Sequence, residues 1–281
     1  MEGKLCVVTG ATDGIGRVTA RALAERGAEV VLVGRNAAKG AEVCKAIHRA
    51  ARNSRVRFEQ ADLSGQDEIR ALAGRLAEGG AAIDVLVNNV GAMFTRRRES
   101  ADGIEMTFAL NHLGYFLLTG LLLDSLKASS AGRIVNVASE AHRSGQMDLE
   151  DPQGARRYRG WPAYAQSKLA NILFTYRLAA VLEGTSVTAN CLHPGFVASR
   201  FGQNNGWLFS TFLKTLMRLS AIDVEAGART SVHVATSADV EGVSGRYFDK
   251  SREATSSLAS RDEETAKRLW EMSEELTGYR Y

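Results

Sequence analysis

The chain has 281 residues, 45% hydrophobic and 24% charged, the composition of a soluble globular protein with one large core or two smaller ones. Its 35 basic and 32 acidic residues leave a formal charge of +3, which argues against the large uncompensated field that nucleic-acid binding uses. Cys6, Cys44 and Cys191 are odd in number and widely spaced with no C-x-x-C, so neither a disulfide framework nor a zinc site is expected, and a reducing compartment fits best.

Met1-Glu2-Gly3-Lys4 runs straight into apolar Leu5-Cys6-Val7-Val8 without the pattern of a secretory leader, and the apolar stretch 115–123 is far shorter than the roughly 20 residues that span a bilayer. A cytoplasmic protein without a transmembrane segment is therefore expected. Strands are expected at 5–9, 29–33, 56–59, 85–88, 133–138 and 186–192, where β-branched residues cluster. Between them, 14–26, 36–52, 67–78, 103–127 and 161–182 have helical length and period. This alternation implies right-handed crossovers and an α/β fold: a doubly wound parallel sheet between two helical layers.

After Pro194 the rhythm changes. Residues 196–222 combine Gly202-Gln203-Asn204-Asn205-Gly206 with an apolar run at 207–213, expected as a loop and short helix. A helix at 224–236, a short strand at 245–248 and a last helix over about 261–276 follow. Ser260-Arg261-Asp262-Glu263 has the S-x-x-E spacing of a capping box for that last helix.

The first strand leads into Thr9-Gly10-Ala11-Thr12-Asp13-Gly14-Ile15-Gly16. A strand that turns on glycines and opens a helix lets a pyrophosphate approach bare backbone while the helix N-terminus faces the anion. Past such a turn, at the end of the second strand, a carboxylate binds a ribose 2′-hydroxyl, whereas an Arg accommodates a 2′-phosphate. Arg35 stands there, followed by Asn36, and no carboxylate does, so NADP is expected over NAD; Asp13 within the turn weakly opposes this.

Tyr164-Ala165-Gln166-Ser167-Lys168 puts a phenol and an ammonium four residues apart, on one helical face. A cation beside a phenol favours phenolate and lowers a pKa that is otherwise near 10. Ser139 follows the fifth strand, so its hydroxyl stands at the carboxyl end of the sheet, where open α/β folds bind ligands.

Together these features resemble the short-chain dehydrogenase/reductase family, in its non-extended branch, over nearly the whole chain. Thr9 to Gly16 resembles its T-G-x-x-x-G-x-G and Asn88-Asn89-Val90-Gly91 its N-N-A-G. Asn111, Ser139, Tyr164 and Lys168 fall at its catalytic positions. The resemblance implies a Rossmann-type single domain over 1–281 and cofactor contacts from Gly10, Thr12, Asp13, Gly14, Ile15 and Gly16. It further implies contacts from Arg35, Asn36, Asp62 and Leu63 (Asp62 at the adenine), from Asn89, Val90 and Gly91, and from Tyr164 and Lys168. Pro194, Gly195, Val197 and Ser199 would lie near the nicotinamide. Asn111 would position a water linking Lys168 to solvent.

The stretches 111–114, 132–137, 167–171 and 268–270 resemble the retinol-dehydrogenase-like reductases, which use NADP(H) on lipophilic aldehydes and ketones. Many animal members begin with an apolar anchoring segment, whereas this chain begins at its first strand. Alternatives are a ketoreductase of specialised metabolism, a steroid dehydrogenase, and a non-catalytic NADP-binding regulator. The last is disfavoured by the complete catalytic set. The resemblance also implies homo-oligomers built on helices 103–127 and 161–182.

The histidines show no metal-ligand spacing, and no metal is expected. His193 is expected to pack near the cofactor, and the arginine runs 96–98 and 156–159 to lie on solvated loops. Residues 207–219 are open to three roles: a substrate lid, a core-covering or subunit-docking helix, or a peripheral membrane contact through Lys214, Arg218 and neighbouring apolar residues.

Overall fold

The structure is a computed structural model that describes residues 1–53, 55–195 and 223–281. Eight strands form one sheet in the order β3-β2-β1-β4-β5-β6-β7-β8: β1 Leu5–Thr9, β2 Glu29–Gly34, β3 Val56–Gln60, β4 Val85–Asn88, β5 Arg133–Val137, β6 Thr188–Leu192, β7 Tyr247–Asp249 and β8 Arg252–Ala254. The first seven run parallel. Alternating side chains of a strand serve opposite layers. Val7, Val31 and Val33 join the core with Ile69, Leu72 and Phe116, while Val8, Val30 and Leu32 join the core with Leu23, Val43 and Val234.

One layer holds α1 Gly14–Glu25, α2 Ala37–Ala51 and the late helix α8 Val224–Thr236. The other holds α3 Gln66–Ala77, the segments α4 Met106–Phe108, α5 Gly114–Leu121 and α6 Leu123–Lys127, and the long α7 Gly160–Val181. The chain ends in α9 Glu263–Thr277.

Three departures from the sequence reading have local causes. The expected helix 103–127 starts only at Met106, because Gly103 has φ +73° and the Glu105 carboxylate caps the Thr107 and Phe108 amides. It passes through a π-helical turn at Ala109–Leu113 and breaks at Leu122. The last strand, β8, is antiparallel and was not expected. Lys250 and Ser251 turn the β7–β8 hairpin with φ +48° and +61°, a two-residue loop with both φ positive. It lacks the usual Asn-Gly signal and is held by the Ser251 amide donating to Thr230 Oγ1 of α8 at 3.1 Å.

The cap of α9 is Asp262, whose carboxylate accepts from the Thr265 amide at 2.6 Å. Ser260, expected as the capping residue, is fully buried and donates to Ser257 O at 2.7 Å.

One face of the α5–α7 layer is covered by α9 and the residues after it. Trp270 packs on Phe116 and Phe174, with ring centroids at 5.2 and 5.8 Å, and Tyr281 Oη donates to Phe116 O at 2.7 Å. With the sheet on one side and α9 on the other, residues 164–175 of α7 are all buried, including Tyr164 and Lys168.

Candidate active site

The site lies where the strand order reverses, outside the carboxyl ends of β1, β4 and β5. Gly10 and Gly14 have φ +64° and +50°, and a Cβ at Gly16 would run into the Gly10 carbonyl and the Asn89 amide. Asn89 braces this turn, its Nδ2 donating to Thr9 O at 2.8 Å, while Thr9 Oγ1 accepts from the Asn89 and Val90 amides at 2.9 and 3.1 Å. Thr12 packs its methyl against Gly34, Ile15 is half-buried, and the first turn of α1 carries no carboxylate. These are the features of a cradle for the phosphates of a dinucleotide, and the residues present fit one.

Asp13 caps α1 through the Gly14 amide at 2.8 Å, and its other oxygen is paired with Lys39 Nζ at 2.5 Å. The objection that Asp13 raised to a 2′-phosphate is thereby weakened, because Lys39 neutralises it. Lys39 was missed in the sequence, although it lies one turn into α2. Arg35 is exposed at the end of β2 and forms no ion pair among the described residues.

The Asn36 carboxamide oxygen caps α2 through the Lys39 amide at 2.9 Å. Asp62 Oδ1 accepts from the amide and hydroxyl of Ser64 at 3.0 and 2.8 Å, shaping the turn into α3. Leu63 is 4% exposed and belongs to the core.

Lys168 lies under Tyr164 on α7. Its ammonium donates to Val137 O at 2.9 Å and sits 5.9 Å from the Tyr164 ring centroid and 5.7 Å from that of Tyr115. Tyr115, missed in the sequence, donates its hydroxyl to Val90 O at 2.8 Å and walls the lysine in. Its place one turn after Asn111 was the available signal. A Cβ on Gly91 would lie 3.1 Å from Lys168 Nζ, so this glycine leaves the ammonium room.

Both amide hydrogens of Asn111 are in use, donated to Ala92 O and Ser167 Oγ at 2.9 Å, and its Oδ1 accepts from Ala92 N at 2.9 Å. The side chain fixes the loop after β4, and a water would be held from what remains of this π turn.

Ser139 is half-buried and extended, with its Oγ accepting from the Ala141 amide at 3.2 Å. Burial pushes the Tyr164 phenol up to about 12, against a hydrogen bond with Ser139 that pulls it down. Burial also pushes the Lys168 ammonium down to about 7. The expected lowering of the Tyr164 pKa by Lys168 is therefore not the direction found: withdrawal from water dominates. A protonated phenol beside a hydroxyl is a proton donor to an oxygen developing negative charge.

At the far side, Pro194 and Gly195 leave β6 with Gly195 at φ +81°, its amide donating to His193 Nδ1 at 3.1 Å. Val197, Ser199 and the segment 196–222 lie outside the described residues. Of the arginine run, Arg97 is not merely solvated: it pairs with Glu99 at 2.6 Å and donates to Gln153 O at 3.1 Å, tying down the insert before α7.

A parallel sheet with a glycine turn at its switch point, and a hydroxyl, a phenol and an ammonium beside it, defines a nucleotide-dependent oxidoreductase. A profile of the short chain dehydrogenases matches residues 4–206, and the chain belongs to that family, whose members act on CH–OH donors with a nicotinamide cofactor. It is 42% identical over 287 residues to retinol dehydrogenase 12 of Mus musculus, covering 100% of this chain and 88% of the relative. With retinol dehydrogenase 11 of Homo sapiens the identity is 44% over 285 residues, covering 99% and 87%.

The crystal structure of an uncharacterised protein from Mycobacterium paratuberculosis superposes with a TM-score of 0.81 at 32% identity, covering 100% of this chain and 95% of the other. A short chain dehydrogenase from Shigella flexneri, solved with NADP, shares the fold with a TM-score of 0.69 at 24% identity, covering 90% and 98%. Among the described residues no helix is long and apolar enough to cross a membrane.

Proposed function

We propose that the protein is an NADP(H)-dependent reductase that interconverts a lipophilic aldehyde or ketone, retinal-like in character, with its alcohol. The observation that carries the reaction is the half-buried Ser139 beside buried Tyr164 and Lys168 at the carboxyl end of the sheet. The substrate class rests on the retinol dehydrogenase relatives.

A bound reduced nicotinamide supplies the hydride to the carbonyl carbon. Ser139 donates its hydroxyl hydrogen to the carbonyl oxygen, Tyr164 gives that oxygen its proton, and Lys168 stabilises the phenolate left behind. The proton is restored to Tyr164 from solvent by way of Lys168 and a water held at the Asn111 turn. The preference for NADP rests on exposed Arg35, with Lys39 beside it pairing Asp13. Residues 1–281 act as one catalytic domain in the cytoplasm, with 196–222 as the specificity segment. Peripheral membrane contact and self-association belong to the same reading as secondary properties.

Oxidation of NADPH and of NADH, followed at 340 nm against retinal, aliphatic, aromatic and steroid carbonyls, tests this reading. NADPH-linked reduction of at least one lipophilic carbonyl is expected, with the preference moving toward NADH in Arg35→Asp. No turnover with any carbonyl, or undiminished turnover in Tyr164→Phe, refutes it.

A further inference from the structure

His142 lies three residues beyond Ser139, is fully buried, and has no assigned part in the proposed reaction. Both of its ring nitrogens are engaged. Nδ1 lies 2.7 Å from Ser139 O, and Nε2 lies 3.2 Å from the Ser257 amide nitrogen. A carbonyl can only accept and an amide N–H can only donate, so the ring must carry its hydrogen on Nδ1 and leave Nε2 bare. One neutral tautomer satisfies both contacts.

The turn that presents Ser139 is a short 3-10 segment, Glu140–Ser144. Its first carbonyl, that of Ser139, accepts twice from one residue: from the His142 amide at 3.1 Å and from the His142 ring at 2.7 Å. The Ala141 amide meanwhile occupies a lone pair of Ser139 Oγ, which leaves the hydroxyl hydrogen free to point away from the turn. Rotation of the Ser139 peptide would break the ring contact and move Oγ.

The other side of the ring ties this turn to the chain between β8 and α9, where Arg143 also donates to Thr255 O at 3.0 Å. Tyr247 of β7 packs against His142 and against His193, with ring centroids 5.2 and 5.9 Å away. His193 in turn holds the Gly195 amide. The floor of the site, from Ser139 to Gly195, is thus braced by one aromatic ring, Tyr247, that enters from the late part of the chain.

We infer that His142 is a positioning residue for the reduction: as a neutral Nδ1–H donor to the Ser139 carbonyl, it sets the direction of the Ser139 hydroxyl. Burial, which pushes the imidazole pKa down, keeps the ring neutral as that role requires. The inference rests on the proposed carbonyl reduction.

Three variants separate this role from mere packing. His142→Asn keeps a donor where Nδ1 stands, His142→Gln keeps a polar group only where Nε2 stands, and His142→Leu keeps neither. Each is assayed for NADPH-linked reduction of all-trans-retinal and 4-nitrobenzaldehyde, with NADPH affinity measured by fluorescence and folding by thermal melting. A displaced reacting group costs up to about 100-fold, so His142→Leu and His142→Gln are expected to lose about 10- to 100-fold in kcat with NADPH affinity unchanged. His142→Asn is expected to recover most of that loss.

Wild-type kcat in His142→Leu, equal kcat in the Asn and Gln variants, or a loss of kcat matched by loss of NADPH affinity would overturn the inference. If His142→Leu does not fold, the Asn and Gln pair decides alone. Absence of carbonyl turnover in the wild type brings down the functional reading and this inference with it. Active wild type with indifferent His142 variants brings down the inference alone.

Discussion

The glycine turn between β1 and α1 and the group on β5 and α7 sit at the same edge of one sheet, yet they are built from different materials. The first is backbone: Gly10, Gly14 and Gly16 remove side chains so that amides are reached, and Asn89 and Thr9 hold the main chain from below. The second is side chain: Tyr164 is buried among Met93, Ala141 and Ala165, Lys168 is buried against Val137 O and Tyr115, and burial moves both pKa values. A backbone site is damaged by adding atoms, and a buried side-chain site by removing one or by changing pH.

The largest effect should come from the side-chain half. Tyr164→Phe removes the proton donor and should lower kcat by about 10²- to 10⁴-fold while NADPH still binds, as seen by fluorescence titration. Parallel loss of binding would erase the distinction between the two regions. In the oxidation direction the phenolate is the base. With Tyr164 up at about 12, alcohol oxidation should rise nearly tenfold per pH unit from 7 to 9, while reduction shows no such rise. A flat oxidation profile would mean that the phenol is already ionised by pH 7 in the cofactor complex, the lowering that a neighbouring ammonium favours.

The helical layer behind that half, where His112 of the π turn packs between Phe108 and Phe174, should be acid-labile. Burial holds the His112 imidazole down at about 3, against 6.5 when unfolded, so in that window the unfolded chain binds the extra proton. Stability is then full above about pH 6.5 and falls as pH drops toward 3, by up to about 1.4 kcal/mol per unit. Urea unfolding at a series of pH values measures this slope, and His112→Gln should flatten it.

Gly16→Ala probes the backbone half. Its Cβ meets the Gly10 carbonyl, so an overpacking cost of about 1–3 kcal/mol is expected. It should appear mainly as a raised KM for NADPH, with kcat at saturation largely kept. Smallest of all, Asn36→Ala should cost about 1 kcal/mol of stability through the lost α2 cap and leave NADPH affinity unchanged. A marked loss of affinity would return Asn36 to the cofactor site.

Regular spacing carried most of this architecture in the sequence. Seven of the eight strands, most of the helices between them, the glycine turn and the Tyr164–Lys168 pair each follow from local pattern, and local pattern is set by backbone geometry. The hairpin at Lys250-Ser251 did not, because a hydroxyl on α8 stabilises a turn whose own residues do not favour it. Nor did the π turn at Asn111, whose extra residue is tolerated because Ala92 and Ser167 take up its side chain. The capping box at Ser260 misled because serine next to an acidic helix start satisfies a pattern, while burial sent its hydroxyl elsewhere.

By itself the sequence determined which residues could do the chemistry, since residue type and spacing are local properties of the chain. Only the tertiary structure decided their electrostatic state and their support. The direction of the Tyr164 pKa, the neutralisation of Asp13 by Lys39 and the bracing of Ser139 by His142 all depend on neighbours brought close by folding and on the water they exclude.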